Sequence, residues 1–160
     1  MKKIAVIGAG MAGIVAARTL VQAGHRVSVF DKSHGAGGRM ASRDTAYGSF
    51  DHGVQYFTVR DARFRQAITE VPGTRDICRP WSANAVRVLD PLGHVFEAAR
   101  PTREAHFVAT PGMNALVRHW AQPLGEQLQT QIKIERLQRD AKGLWTLHGV
   151  DMQDEHESAW

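Results

Sequence analysis

Residues 3–13 read KIAVIGAGMAG, and this stretch decides the fold. Lys3 to Ile7 is a short apolar run, partly β-branched, of the kind a buried parallel strand needs. The loop Gly8-Ala9-Gly10-Met11-Ala12-Gly13 follows at once. From Ala12 to Ala23 the small and apolar residues Ala12, Val15, Ala16, Thr19, Leu20 and Ala23 recur at helical spacing. Gly24 stands where a helix C-terminal glycine belongs. Val27 to Phe30 reads as a second strand that ends at Asp31. In this order the three glycines have distinct duties. Gly8 permits a tight turn out of the strand, Gly10 lets the backbone approach a pyrophosphate, and Gly13 lets helix and strand pack closely. The helix N-terminus then offers amide groups and a positive dipole end to phosphate. Asp31 follows Gly8 at about the 20-residue distance expected of an acid that binds an adenosine ribose.

The fingerprint leaves nicotinamide and flavin dinucleotides open, because both contain an ADP half. A second glycine cluster, Gly37-Gly38-Arg39, falls just after Asp31. Glycines there allow a second backbone approach to the pyrophosphate, and Arg39 can neutralise it. A simple nicotinamide-binding domain does not need this, so the cluster points to a flavin. Otherwise it is a surface loop with a solvated arginine.

Composition bounds the rest. The chain has 160 residues, 43% hydrophobic and 22% charged, with a formal net charge of +4. That length suits about one domain, and the apolar share excludes a disordered chain. The single cysteine, Cys78, excludes a disulfide framework and a Cys-rich zinc site, and fits a reducing cytoplasm. Cys78 reads as a buried thiol. No apolar run approaches the ~20 residues of a membrane span. Met1-Lys2-Lys3 and the apolar run after it imitate a signal peptide, but Gly8, Gly10, Gly13 and Arg18 break the pattern. Many arginines lie between Arg39 and Arg103, which suits an anionic ligand or a solvated surface. No Lys/Arg block supports nucleic-acid binding. The eight histidines form no H-x-x-x-H or H-E-x-x-H pair, so no metal site is expected.

Further along, Asp51 to Phe57 (DHGVQYF) predicts a turn and short strand. Asp61 can cap a helix with Phe64, Ala67, Ile68 and Val71 on one face. Ala85 to Leu89 and His94 to Ala98 flank Asp90-Pro91-Leu92-Gly93 as a hairpin. Thr110-Pro111 predicts the cap and first position of a helix whose stripe is Met113, Leu116, Val117, Trp120 and Ala121. Ile132 to Leu137 and Leu144 to His148 predict paired strands. The polar stretch from Asp151 to Trp160 predicts no closing element.

Taken together, the run from Ile4 to Met40 resembles the flavin-containing amine oxidase superfamily. GGRMASR (Gly37 to Arg43), DHGVQYFTVRD (Asp51 to Asp61) and PGMNALVRHWA (Pro111 to Ala121) are similar to its renalase-like branch. The resemblance implies an α/β fold: a Rossmann-like FAD/NAD(P)-binding domain, incomplete here, with part of an inserted α+β substrate domain. It implies FAD-binding segments at 1–58 and 111–160 around a partial insertion at 59–110. It also implies non-covalent FAD held by Gly8, Ala9, Gly10, Met11, Ala12 and Gly13, with Asp31 on the adenosine ribose and Lys32 beside it. Gly38, Arg39 and Met40 would line the pyrophosphate and ribityl side. Gln55, Tyr56 and Phe57 would lie near the isoalloxazine ring, although core packing explains Tyr56 and Phe57 equally well. Ile134 would contact adenine through its backbone, or simply pack its strand. The implied activity is FAD-dependent oxidoreduction: hydride passes from an isomeric dihydro-NAD(P) to flavin N5, and O2 reoxidises the flavin. A flavin oxidase acting on a small amine is one alternative, and a non-catalytic ADP-binding module is another. The resemblance marks no catalytic residue. Relatives of roughly twice this length carry a late Gly-Asp motif. This sequence has no Gly-Asp dipeptide, so the expectation is an N-terminal fragment that is inactive by itself.

Overall fold

A computed structural model describes residues 1–81, 88–96, 105–154 and 156–160. The chain opens with strand β1 (Lys3–Ile7), helix α1 (Met11–Gln22) and strand β2 (Arg26–Asp31), as the fingerprint requires. A single 3-10 turn (Gly38–Met40) leads into the hairpin β3 (Ser42–Thr45) and β4 (Gly48–Asp51). Then come β5 (Phe57–Thr58), α2 (Ala62–Glu70), α3 (Thr74–Ile77), β6 (Cys78–Pro80), β7 (Val88–Leu89), β8 (Val95–Phe96) and β9 (His106–Ala109). The last part holds α4 (Asn114–Ala121), a 3-10 segment (Gln122–Gln127), β10 (Leu128–Thr130), β11 (Ile132–Arg139), β12 (Trp145–Asp151) and β13 (Glu157–Ala159).

Two sheets and the helices between them position the site. β1, β2 and β10 form a parallel sheet with β2 in the centre, Ile7 opposite Phe30 and Thr130 opposite Asp31. α1 and α4 bury their apolar stripes beside it. Ile14, Ala17, Leu116, Val117, Trp120 and Ala121 are all core residues. Arg18 ties the two helices together, donating to the Trp120 carbonyl at 3.2 Å with its guanidinium over the indole. The second sheet, β5-β9-β6, is antiparallel and carries α2 on its core side through Phe57, Phe64 and Phe107. Asp61 caps α2 by accepting from the Arg63 and Phe64 amides, as expected from sequence. The Arg63 guanidinium, then the Phe64 and Arg63 amides, hold its carboxyl down at about 2.

Two sequence expectations need correction. The helix expected from Thr110-Pro111 begins at Asn114. The Thr110 hydroxyl donates instead to the Ile77 carbonyl, and Thr110-Pro111 is a cis peptide. Caps come from the β3-β4 hairpin: Asp51 Oδ1 accepts from the Met113 amide at 2.8 Å and Ser42 Oγ from the Asn114 amide at 3.2 Å. Sequence could not show this, because the capping residues lie 62 and 72 positions away. The polar end also closes: β13 adds a third antiparallel strand to β11 and β12. Trp160 exchanges two backbone hydrogen bonds with Leu147, and its ring meets Phe30 at 5.3 Å. An antiparallel edge strand needs only one apolar face, so a mostly polar stretch can supply it. Of the expected hairpin around Asp90, β7 and β8 pair across the turn. Residues 85–87 and 97–98 of that expectation lie outside the described residues.

Candidate dinucleotide site

The glycine loop lies where β1 ends and α1 begins, at the carboxyl end of the parallel sheet. Gly8 has φ +103°, a conformation that favours glycine, and donates to the Phe30 carbonyl at 2.7 Å. Gly13 has no room for a side chain: a Cβ there would lie 1.9 Å from the Gly8 carbonyl oxygen. Gly10 is the N-cap of α1, without a side-chain cap, and the first turn carries no acid. The amides of this turn thus keep the orphan donors and positive dipole end that an anion satisfies.

The second glycine cluster docks directly on the first. Gly37 forms a parallel bridge with Gly10, and its amide donates to the Ala9 carbonyl at 3.0 Å. Gly38 has φ +58°, and a Cβ there would come 2.8 Å from the Gly10 Cα. A side chain on Gly38 would therefore push the two loops apart. Arg39 follows, exposed, with no ion pair among the described residues. A third segment packs on Arg39 in turn. The Val54 amide donates to the Arg39 carbonyl at 2.9 Å, and a Cβ on Gly53 would lie 2.1 Å from that oxygen. Three backbone segments separated in sequence converge on one cradle.

Asp31 closes the cradle at the end of β2. Its Oδ2 accepts from the Ala9 amide at 2.6 Å and its Oδ1 from the Ser33 amide at 2.8 Å. Each carboxylate oxygen keeps acceptor capacity for a ligand hydroxyl. Lys32 and Gln55 are exposed beside this region. Met11 and Ala12 begin α1, with Met11 packed against the core. Met40, next to Arg39, is buried in the core cluster. Phe57 packs against Phe64 and Phe107, while Tyr56, one residue earlier, points away and is 39% exposed. Ile134 sits on β11 at a register break and packs with Phe30, Ile132 and Leu147, on a different sheet from the glycine loops. The structure thus brings together Gly8 to Gly13, Asp31, Gly38 and Arg39. Gly53 and Ser33 belong to the same construction but were missed in the sequence, although Gly53 lies inside the quoted DHGVQYF stretch.

Cys78 is buried in the core, and burial pushes its thiol up to about 11. A thiol at this pKa stays protonated near neutrality and does not act as a nucleophile. Iodoacetamide at neutral pH should leave native Cys78 unlabelled and modify it on unfolding in urea. Rapid labelling of the folded chain would contradict its burial. Among the described residues no group of three His, Cys, Asp or Glu side chains is placed to hold a metal ion. Among them, too, no helix is long and apolar enough to cross a membrane.

Comparison with known proteins agrees with this geometry. Residues 6–71 match the NAD(P)-binding Rossmann-like domain family. A 1-hydroxycarotenoid 3,4-desaturase of Flavobacterium sp. is 42% identical over 59 residues, covering 37% of this chain and 12% of the relative. A 4,4'-diapophytoene desaturase of Staphylococcus haemolyticus is 39% identical over 94 residues, covering 59% of this chain and 17% of the relative. The matches therefore span under a fifth of these relatives' length. Among solved structures, a cofactor-binding redesign of putrescine oxidase superposes with a TM-score of 0.68 at 11% identity, over 99% of this chain and 56% of that one. CtdE, solved with FAD and a substrate, gives 0.57 at 15% identity, over 98% of this chain and 35% of that one. The chain has the α/β fold of these solved structures, with a Rossmann-like NAD(P)-binding segment at its start.

Proposed function

We propose that this chain forms the ADP-binding side of an FAD-dependent oxidoreductase of the renalase-like type. The observation that carries the reading is the docking of Gly37 and Gly38 on Gly10, with Asp31 fastened to Ala9. A single glycine turn suffices to cradle one dinucleotide phosphate; a second, locked against it and followed by an exposed arginine, suits the longer FAD pyrophosphate-ribityl chain. The residues fit the group: the α1 N-terminus and Arg39 would hold its phosphates, and Asp31 would accept from its ribose. Bound there, FAD supplies a hydride acceptor that O2 regenerates with release of H2O2. The chain's own residues bind and align. The DHGVQYF segment is anchored through Val54 on the Arg39 carbonyl, and its Gln55 and Tyr56 would help to hold the redox ring. The hydride donor is a misreduced dihydronicotinamide dinucleotide. Its ring nitrogen lone pair drives hydride out, so alignment rather than a strong base is what the protein contributes.

Two experiments test the proposal. The complete protein that carries this chain should oxidise isomeric dihydro-NAD(P) with one O2 consumed per turnover. Flavin reduction by simple amines instead would sink the substrate assignment and favour an amine oxidase. Asp31→Ala should weaken FAD binding by about 1–3 kcal/mol, the cost of losing a charge-assisted hydrogen bond. Asp31→Asn keeps an acceptor for the Ala9 amide and isolates the effect of the charge. FAD affinity unchanged in both variants, read by flavin fluorescence titration, would remove Asp31 from the site.

A further inference from the structure

The outer face of the β5-β9-β6 sheet carries three aromatic rings that the cradle does not use. His106 opens β9, Trp81 follows β6, and Tyr56 precedes β5. The Trp81 amide donates to the His106 carbonyl at 2.7 Å, which fixes the two residues side by side. Tyr56 stacks on Trp81 with centroids 5.6 Å apart and meets the His106 ring at 4.3 Å. Two of the rings nevertheless stay open to solvent, Trp81 41% and Tyr56 39% exposed, and His106 is half-buried beside them. They lie apart from the core, which takes Phe57 and Phe64 from the opposite face, with Phe107 stacked on Phe57. Among the described residues, the Tyr56 hydroxyl, the Trp81 indole N–H and the His106 imidazole make no side-chain hydrogen bond. Tyrosine and tryptophan placed this way offer an apolar body and a polar tip to a ligand. The cluster also adjoins the cradle: Tyr56 is two residues from Val54, which is bonded to Arg39.

We infer that Trp81, Tyr56 and His106 form a stacking platform for the planar nitrogen heterocycle of the substrate. Two of these three residues, Trp81 and His106, belong to no motif legible in the sequence. The inference rests on the oxidoreductase reading for its choice of ring. The ring would lie on the exposed indole and phenol faces, and its polar substituent would meet the three unpaired tips. A saturated ammonium substrate would use the same rings differently, through charge rather than ring overlap.

The probe is nicotinamide mononucleotide, with ribose 5-phosphate as the ringless control and FAD affinity measured in parallel. Calorimetry should show nicotinamide mononucleotide binding the wild-type chain. Trp81→Ala should weaken it roughly tenfold or more, as loss of a stacking aromatic does. Trp81→Phe should restore most of the affinity, and FAD binding should be the same in all three proteins. No binding of nicotinamide mononucleotide to wild type would overturn the platform, and so would an unchanged affinity in Trp81→Ala. A Trp81→Ala loss matched by ribose 5-phosphate would overturn it as well. If the complete protein that carries this chain fails to bind FAD while the Trp81 dependence holds, the oxidoreductase reading falls and the platform stands.

Discussion

Gly13→Ala should abolish FAD binding and destabilise the chain, although alanine is ordinarily the better helix former by about 1 kcal/mol. The sign reverses because of what the methyl group meets. Its Cβ would stand 1.9 Å from the Gly8 carbonyl oxygen and 3.0 Å from the Gly8 carbonyl carbon. Both are backbone atoms of the turn that leaves β1, so no side-chain rotation relieves the overlap. Either α1 moves away from β1 or the Gly8 turn opens. The first exposes Ile14 and Ala17, which are fully buried. The second breaks the Gly8–Phe30 hydrogen bond and displaces the Ala9 amide from Asp31. Overpacking of this kind costs about 1–3 kcal/mol even where side chains can adjust. Gly24→Ala is the control: Gly24 has φ +80° but open space around it, so alanine there brings only backbone strain. Gly24→Ala should lower the urea midpoint slightly and leave FAD affinity intact. A Gly13→Ala protein that binds FAD like wild type would show that helix and strand do not need their close approach.

The first 31 residues were legible because their signals are local. A strand, three spaced glycines, a helical stripe and a terminal acid lie in sequence order, and each constrains the backbone next to it. The same holds for Asp61 before α2 and for the apolar stripe of α4. What sequence could not supply was contact between distant loops. Nothing in Gly37-Gly38-Arg39 says that Gly38 rests on Gly10, or that Gly53 rests on Arg39. The start of α4 was misplaced for the same reason: Asp51 and Ser42 cap it from another hairpin, while Thr110 faces Ile77. β13 has no local signal because its apolar anchor, Trp160, is a single residue whose partner, Phe30, is 130 positions earlier in the chain. Phe57 and Tyr56 show the limit of motif reading most clearly. Adjacent in one motif, they part company: Phe57 opens β5 and packs against the core, while Tyr56, just before the strand, is exposed.

The second large effect is expected at Trp120, which joins three parts of this core. Its ring is 2% exposed, stands edge-on to Phe64 and lies under the Arg18 guanidinium. Its indole N–H donates at 2.8 Å to the hydroxyl of Thr74, a fully buried polar residue. Trp120→Ala should cost about 3–5 kcal/mol through the cavity alone. The Thr74 hydroxyl would also lose its donor inside an apolar site. Against the ~5–15 kcal/mol that holds a typical domain together, this should leave the chain largely unfolded or without a cooperative urea transition. A subtler series separates packing from hydrogen bonding. Trp120→Phe keeps much of the ring but strands Thr74, at about 1–3 kcal/mol for the unpaired group. Thr74→Val alone strands the indole N–H by the same argument. Combining the two removes both partners, so the double variant should be less destabilised than the sum of the singles. Strict additivity in that cycle would mean the Trp120–Thr74 hydrogen bond contributes nothing, and that Trp120 acts by volume alone.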